Sequence, residues 1–252
     1  MNRWFGSLPA PEICTRLTET SILCLPIGSY EQHGPHLPLH TDTVIAEQFT
    51  NRLIDRYGDQ YDLWALPVLP YGLSLEHAWS PGTISLRIGA LTTLLDTIVG
   101  ELVRATPARR LLIVNGHGGN RSILDAVGYE LRATHQVRVC TVHPSSLSAV
   151  RVTSALPEIH AGMKETSMML ALAPHAVYLD RLPETFTVNL AHGDEIQRLI
   201  LDRGATWSWN SGDARIATFG ITGGDPRLAS ADLGEDIITS ALDASDQILQ
   251  QL

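Results

Sequence analysis

The chain has no run of basic residues, and it carries 18 Lys and Arg against 27 Asp and Glu, a formal net charge of −9. A nucleic-acid binder wants a basic stripe, and an anionic membrane surface repels this balance, so neither is an expected partner. No apolar run approaches the roughly 18–20 residues that a membrane helix needs. The opening stretch from Met1 to Cys14 has no apolar segment of the secretory kind. Cysteine is scarce. Cys14, Cys24 and Cys140 are odd in number, widely spaced and form no CxxC pair. That excludes a disulfide scaffold and a thiolate metal knot, and it predicts reduced, mostly buried thiols in a cytoplasmic protein. What is plentiful is apolar residues, 44% of 252, so a sizeable core can form.

Short apolar runs alternate with helical periodicity. Residues 21–28, 61–70, 109–116 and 137–143 read as buried strands, with 109–116 the clearest. Residues 43–58, 88–106, 120–134, 164–174 and 230–252 read as helices. Gly58 is expected to end the first of these and Pro107 the second, with Asn120 as cap of the third. Residues 180–229 are rich in Gly, Pro, Asp and Trp and read as loops with a strand or two. The alternation predicts an α/β fold: a single-domain layered α/β/α arrangement with a largely parallel sheet over residues 1–252. The tail 230–252 and the segment 205–213, with Trp207 and Trp209, are expected to expose apolar surface suited to a homo-oligomer. The two tryptophans read as core or subunit packing, or as cleft walls.

The stretch "GSYEQHGPHLPLHTDT" (28–43) crowds Glu31, His33, His36, His40 and Asp42 together. It follows a strand, and so does "HGGN" (117–120). In open α/β sheets ligands bind beyond the carboxyl ends of the strands, so parallel strands would bring His117 to face Glu31 and His33. Glu31 and His33 share a face if the segment is extended. Thr41 or Asp42 is expected to cap the helix that follows. A mixed imidazole and carboxylate cluster suits borderline divalent metals. Asp42 is the candidate bridge between two ions, and such a pair activates water and clamps an oxyanion. Taken singly, each residue also has a structural reading: a hydrogen-bonded loop histidine, a helix cap, an arginine partner. "HGGN" alone would equally suit a phosphate-cradling turn.

Two further stretches carry titratable groups. In "EIHAGMKETS" (158–167), His160 is placed to move protons. Glu165 falls in a first helical turn, where the dipole favours an acid in any case. In "EHAWSPGTISL" (76–86), Glu76 and His77 precede a turn and are expected to wall a pocket. Gly118 and Gly119 are expected to line the same substrate pocket.

Together "LPIGSYEQHGPHLPLHTDT", "EHAWSPGTISL", "LLIVNGHGGN" and "HAGMKETSMML" resemble the creatininase family of creatinine amidohydrolase-like metal hydrolases, in family order over residues 20–175. "GITGGDPRLASADLGE" (220–235) is similar to the family's C-terminal pattern. The resemblance implies an α/β fold with two divalent ions (Zn, Mn or Fe), and often a homohexamer. Glu31, Asp42 and His117 match the first-metal ligands, His33 and Asp42 match ligands of the second, and His160 matches the proton-handling histidine. Creatinine-hydrolysing members carry a glutamate where this chain has Gly119, and an acid where it has Ile159. The "HGGN" form is shared with the subgroup that includes the mycofactocin precursor peptidase and formamide deformylases. In it, Glu165 is a candidate replacement ligand, or a base.

The expected function is metal-dependent hydrolysis of an amide-type C–N bond in a small molecule. His160 would pass a proton to the leaving nitrogen. Trimming of a short peptide precursor and creatinine hydrolysis proper are the alternatives within the class. A non-catalytic phosphate- or nucleotide-binding protein is the rival outside it.

Overall fold

Successive side chains of a strand point to opposite faces, and in the central strands both faces are apolar. In β1 (Ile22–Ile27), Ile22 and Cys24 enter one hydrophobic cluster while Leu23, Leu25 and Ile27 enter another. β3 (Arg110–Asn115) divides in the same way, with Leu112 and Val114 against Leu111 and Ile113. A strand buried on both sides needs helices on both sides, and the fold follows from that.

The structure is a computed structural model that describes residues 3–252. With β2 (Leu63–Ala65) and β4 (Arg138–Val142), the strands form one sheet in the order β2-β1-β3-β4, and every pairing is parallel. The helices are α1 (Ile13–Arg16), α2 (Thr41–Tyr61), α3 (Ile88–Ala105), α4 (Arg121–His135), α5 (Pro144–Leu147), α6 (Met163–Leu172), α7 (His192–Ile196) and α8 (Ala231–Gln251). Phe49 and Leu53 of α2, Met168 and Met169 of α6, and Ile237 and Ile238 of α8 cover one face. Leu91, Leu95 and Val99 of α3 and Leu124, Val127 and Leu131 of α4 cover the other. The layered α/β/α expectation holds.

Several expectations need correction. The second strand shrinks to Leu63–Ala65 because Pro67 and Pro70 lack the amide a ladder needs, although Leu69 still bonds to Pro26. Gly58 does not end α2. The helix runs on to Tyr61, and Asp62 takes the left-handed stop at φ 51°. Neither Thr41 nor Asp42 caps α2, since the helix starts at Thr41 and His40 precedes it without a side-chain cap bond. Asn120 does not cap α4 either. Its amide instead ties three loops, donating to Gly28 O and Asn115 Oδ1 while accepting from Leu73 N. Residues 180–229 hold no strand among the described residues. They contain α7, which continues as a π-helical turn over Gln197–Leu201. The apolar stripe of α8 is spent on the core against α6 and is not free for a partner. Of the thiols, Cys24 is buried, Cys140 is half-buried and Cys14 is exposed. Among the described residues no helix is long and apolar enough to cross a membrane.

Candidate metal centre

Parallel register puts Ile27 opposite Asn115, so β1 and β3 end side by side. Both chains then turn at a glycine. A Cβ on Gly116 would stand 2.2 Å from Asp42 O, and one on Gly28 would stand 2.4 Å from Thr43 Cα. Only hydrogen at these positions lets the first turn of α2 lie across the strand ends. That contact carries Asp42 over the sheet edge to meet the loops that hold Glu31, His33 and His117.

The crowded loop separates into two roles. Glu31, His33 and Asp42 converge with His117, and all four are buried. His36 turns away to bond Thr166 Oγ1 of α6 at 2.9 Å, and burial pushes it down to about 4. His40 stacks on Tyr30 with ring centroids 6.2 Å apart. Asp42 Oδ2 lies 3.1 Å from His117 Nδ1, and its Oδ1 lies 3.3 Å from His33 Nε2. Glu31 Oε2 stands 3.3 Å from His117 Nδ1. Glu165 Oε2 stands 3.7 Å from His33 Nε2, and His160 Nδ1 is 3.5 Å from Glu31 Oε1.

Three histidines bind backbone carbonyls with the ring nitrogen that points away from the cluster. His117 Nε2 donates to Leu73 O at 2.6 Å, His160 Nε2 to Gln32 O at 2.7 Å, and His33 Nδ1 to Glu31 O at 3.1 Å. In the neutral ring such a bond fixes the tautomer and leaves the other nitrogen with a lone pair, the arrangement common to metal-ligating imidazoles. His77 differs. Its Nδ1 lies 2.7 Å from Ser211 Oγ, which also accepts from Trp79 Nε1 at 2.8 Å and reaches Glu76 O at 3.4 Å. Its other nitrogen, Nε2, faces Glu31 Oε1 at 3.4 Å.

Electrostatics follow from this packing. Burial pushes the Glu31 carboxyl up to about 7 against the pull of His117 and His33. Burial works against a charge on His33 and His117, but the flanking carboxylates outweigh it and hold both well above the usual histidine range. Those imidazolium charges, in turn, outweigh burial at Asp42 and keep it below the ordinary carboxylate range. His160 falls well below the usual value, through burial first and then repulsion from His77 and His33, so its ring is neutral. Burial followed by the same kind of repulsion takes His77 down to about 2.

Glu31 Oε1 and Oε2, Asp42 Oδ2 and His33 Nε2 are buried with no hydrogen-bond partner among the described residues. Unmatched buried polar atoms cost about 1–3 kcal/mol each, more when charged, and here they face one another. Ligand atoms of Glu31, Asp42 and His117 lie within 4.8 Å of one another, as do those of His33, His160 and Glu165, and those of Glu31, His77 and His160. This donor set of imidazole nitrogen and carboxylate oxygen fits a borderline divalent cation.

The fourth wall comes from distant sequence. His160 and Thr222 exchange two backbone hydrogen bonds at 2.9 Å, which pins His160 to the "GITGG" segment. Ala161, beside it, is held at φ 54°, and its amide donates to Glu165 Oε2 at 2.6 Å. Backbone strain of that kind persists only where surrounding structure imposes it. Glu76, His77, Gly118 and Gly119 all line one cleft of about 560 Å³, together with Arg121, Glu158, Trp209 and, from the cluster, Glu31, Asp42 and His117. Trp209 packs edge-on to His77 at 5.7 Å, while Trp207 lies on the surface. Sequence reasoning missed Gln32, Ser211 and Arg121. Gln32 lies inside the quoted motif, but Ser211 sits in an irregular segment that carries no periodic signal.

A Cβ on Gly119 would meet Glu76 Oε1 at 2.4 Å, Leu73 O at 2.4 Å and His117 Nε2 at 2.5 Å. The position has no room for a side chain. Gly119→Glu is therefore expected to break the Leu73–His117 bond and to destabilise the fold by about 1–3 kcal/mol. It should not add a metal ligand, which thermal unfolding and metal analysis of the variant would check.

The creatininase family model, described as creatinine amidohydrolase, matches residues 7–249. The mycofactocin precursor peptide peptidase of Mycolicibacterium smegmatis is 34% identical over 220 residues, 86% of this chain and 79% of that protein. Its counterpart in Mycobacterium ulcerans is 37% identical over 233 residues, 90% and 83% of the two chains. The creatinine amidohydrolase of Pseudomonas putida is 31% identical over 189 residues, 66% of this chain and 71% of that one. A solved manganese creatininase superposes with a TM-score of 0.73 at 25% identity, covering 100% of this chain and 98% of the other. The chain belongs to the creatininase family of metal-dependent amidohydrolases.

Proposed function

We propose that Glu31, Asp42 and His117 hold one divalent ion and that His33, Asp42 and Glu165 hold a second, with Asp42 shared. The observation that carries this reading is the set of buried, partnerless donor atoms faced by imidazoles whose outer nitrogens are tied to backbone carbonyls. Zinc, manganese or iron would suit the donors. Solved creatininases carry manganese, and zinc in a form described as Zn–Zn. When bound, the ions supply water activation and carbonyl polarisation.

The chain's own residues do the rest. His160, neutral and with Nδ1 open to the cluster, accepts a proton from the attacking water and returns it to the leaving nitrogen. His77 packs against Glu31 with Nε2 3.4 Å from Oε1 and limits where that carboxylate can move. Glu76, Gly118 and Gly119 shape the substrate side of the cleft. The bond cleaved is an amide-type C–N bond of a small molecule. A second reading, removal of a terminal piece from a short peptide, is favoured by the two mycobacterial relatives that are named peptide peptidases. Creatinine is disfavoured, because Gly119 and Ile159 stand where creatinine-hydrolysing members carry acids. Family membership speaks against the non-catalytic phosphate binder. Assay of formamides, short peptides and creatinine with metal-loaded and chelator-treated protein tests the proposal. Hydrolysis of one of the first two, lost with the metal and restored by it, is expected. Equal activity after metal removal would contradict it.

The subunits are proposed to assemble as a homo-oligomer, a hexamer by family likeness. Support comes from apolar side chains clustered in one stretch of sequence, with Leu75 69% and Ile88 61% exposed and Trp79 and Ile84 about half exposed. Light scattering should give a multiple of 27.5 kDa; a mass near 27.5 kDa itself would refute assembly.

A further inference from the structure

At one side of the cleft, Arg121 opens α4 directly after the "HGGN" turn, and it lines the same cavity as the metal cluster. The residue is half-buried, and its guanidinium bonds Ser146 Oγ. Asp125, one turn along α4, acts on it only from beyond ion-pair range. Most of the five N–H donors of the arginine fork are thus left for a ligand. Two acids come close to this wall or face it, and both are committed elsewhere. Glu158 accepts the backbone amides of Gly224 and Lys164, at 2.9 and 3.0 Å. Glu76 lies beside His117, its Oε1 3.8 Å from Nε2.

The neighbours of Arg121 are donors too. Asn115 Nδ2 donates to His143 Nδ1 at 3.0 Å, so the proton of the neutral imidazole sits on Nε2. Burial, with Arg121 next, pushes His143 down to about 4, which keeps it neutral. The hydroxyls of Ser122 and Ser145 complete the wall. Burial also lowers the Arg121 pKa, as expected of a cation with no acid paired to it.

We infer that Arg121, His143 and the flanking serines form an anion subsite for a carboxylate on the substrate, so the amide cleaved belongs to a molecule with a free carboxylate, such as an N-acylamino acid or a peptide C-terminus. Arginine presents a planar fork that matches a carboxylate, and a half-buried one without an acidic partner is arranged for such a ligand. The subsite and the metal cluster line one cleft, so a single ligand there can touch both. This inference deepens the amide-hydrolase reading and rests on it.

The test is calorimetric titration of metal-loaded protein with 3-benzoylpropionate, a ketone isostere of N-benzoylglycine with no internal C–N bond to cleave, with its uncharged amide and with its phosphonate analogue. The natural protein should bind the carboxylate at least about tenfold more tightly than the amide, the scale of one charge-assisted pair. Arg121→Gln should bring that ratio close to one with metal content unchanged, and Arg121→Lys should keep part of it. An unchanged ratio in Arg121→Gln, or no preference in the natural protein, overturns the inference. Tighter binding of the phosphonate also overturns it and points to a phosphate ligand. Binding preference is read without turnover, so failure here is distinguishable from failure of the hydrolase reading, which would show as an absence of metal or of amide cleavage.

Discussion

Asp42→Asn is expected to yield folded protein that retains neither divalent ion and turns over at least ~10²–10³-fold more slowly, the scale of losing one preorganised stabiliser of the transition state. Asp42 is the residue whose two oxygens address both halves of the cluster, Oδ2 towards His117 at 3.1 Å and Oδ1 towards His33 at 3.3 Å. Asparagine keeps the shape and so keeps the close packing of α2 against Gly116. It removes the charge that holds both imidazoles in place. Metal analysis together with cooperative thermal unfolding checks the expectation. Retention of both ions would show that Asp42 is not shared between them.

Glu165→Gln separates the two ions. Gly119 cannot supply a carboxylate, and His33 with shared Asp42 gives the second ion only two protein ligands, where catalytic zinc sites usually keep three. Glu165 reaches His33 from the start of α6, its Oε2 already oriented by the Ala161 amide. Loss of one of two ions and of most activity is expected, with the first ion kept. The change is nearly isosteric, so folding is spared. If both sites stay filled and only turnover falls, Glu165 is a base and not a ligand. If nothing changes, its role is to cap α6, and another residue completes the second site.

Much of this was legible in the sequence, for identifiable reasons. The strands read clearly because both faces of β1 and β3 are buried, which leaves continuous apolar runs bounded by glycine. The convergence of Glu31, His33 and His117 followed from a single inference, that the strands before them are parallel. What sequence could not give was tertiary. Asn120 looks like a helix cap, but its amide is worth more where it joins Gly28, Leu73 and Asn115. The tail helix looked free because an amphipathic pattern does not say what covers its apolar face; α6 does. The role of "GITGGDP" was not visible, since a pair of hydrogen bonds between His160 and Thr222 spans 62 residues with no periodic trace. Glu76 and His77 read alike as pocket walls. Packing distinguishes them: Glu76 fills the space over Gly119, and His77 sits between Ser211 Oγ and Glu31 Oε1.

The central claim is that this chain holds two divalent ions through Glu31, His33, Asp42, His117 and Glu165. Elemental analysis of the purified protein after equilibration with zinc or manganese tests it most directly. Two equivalents per chain are predicted for the natural sequence, one for Glu165→Gln and none for Asp42→Asn. A natural protein that retains no metal under these conditions, or the same stoichiometry in all three, would contradict the account.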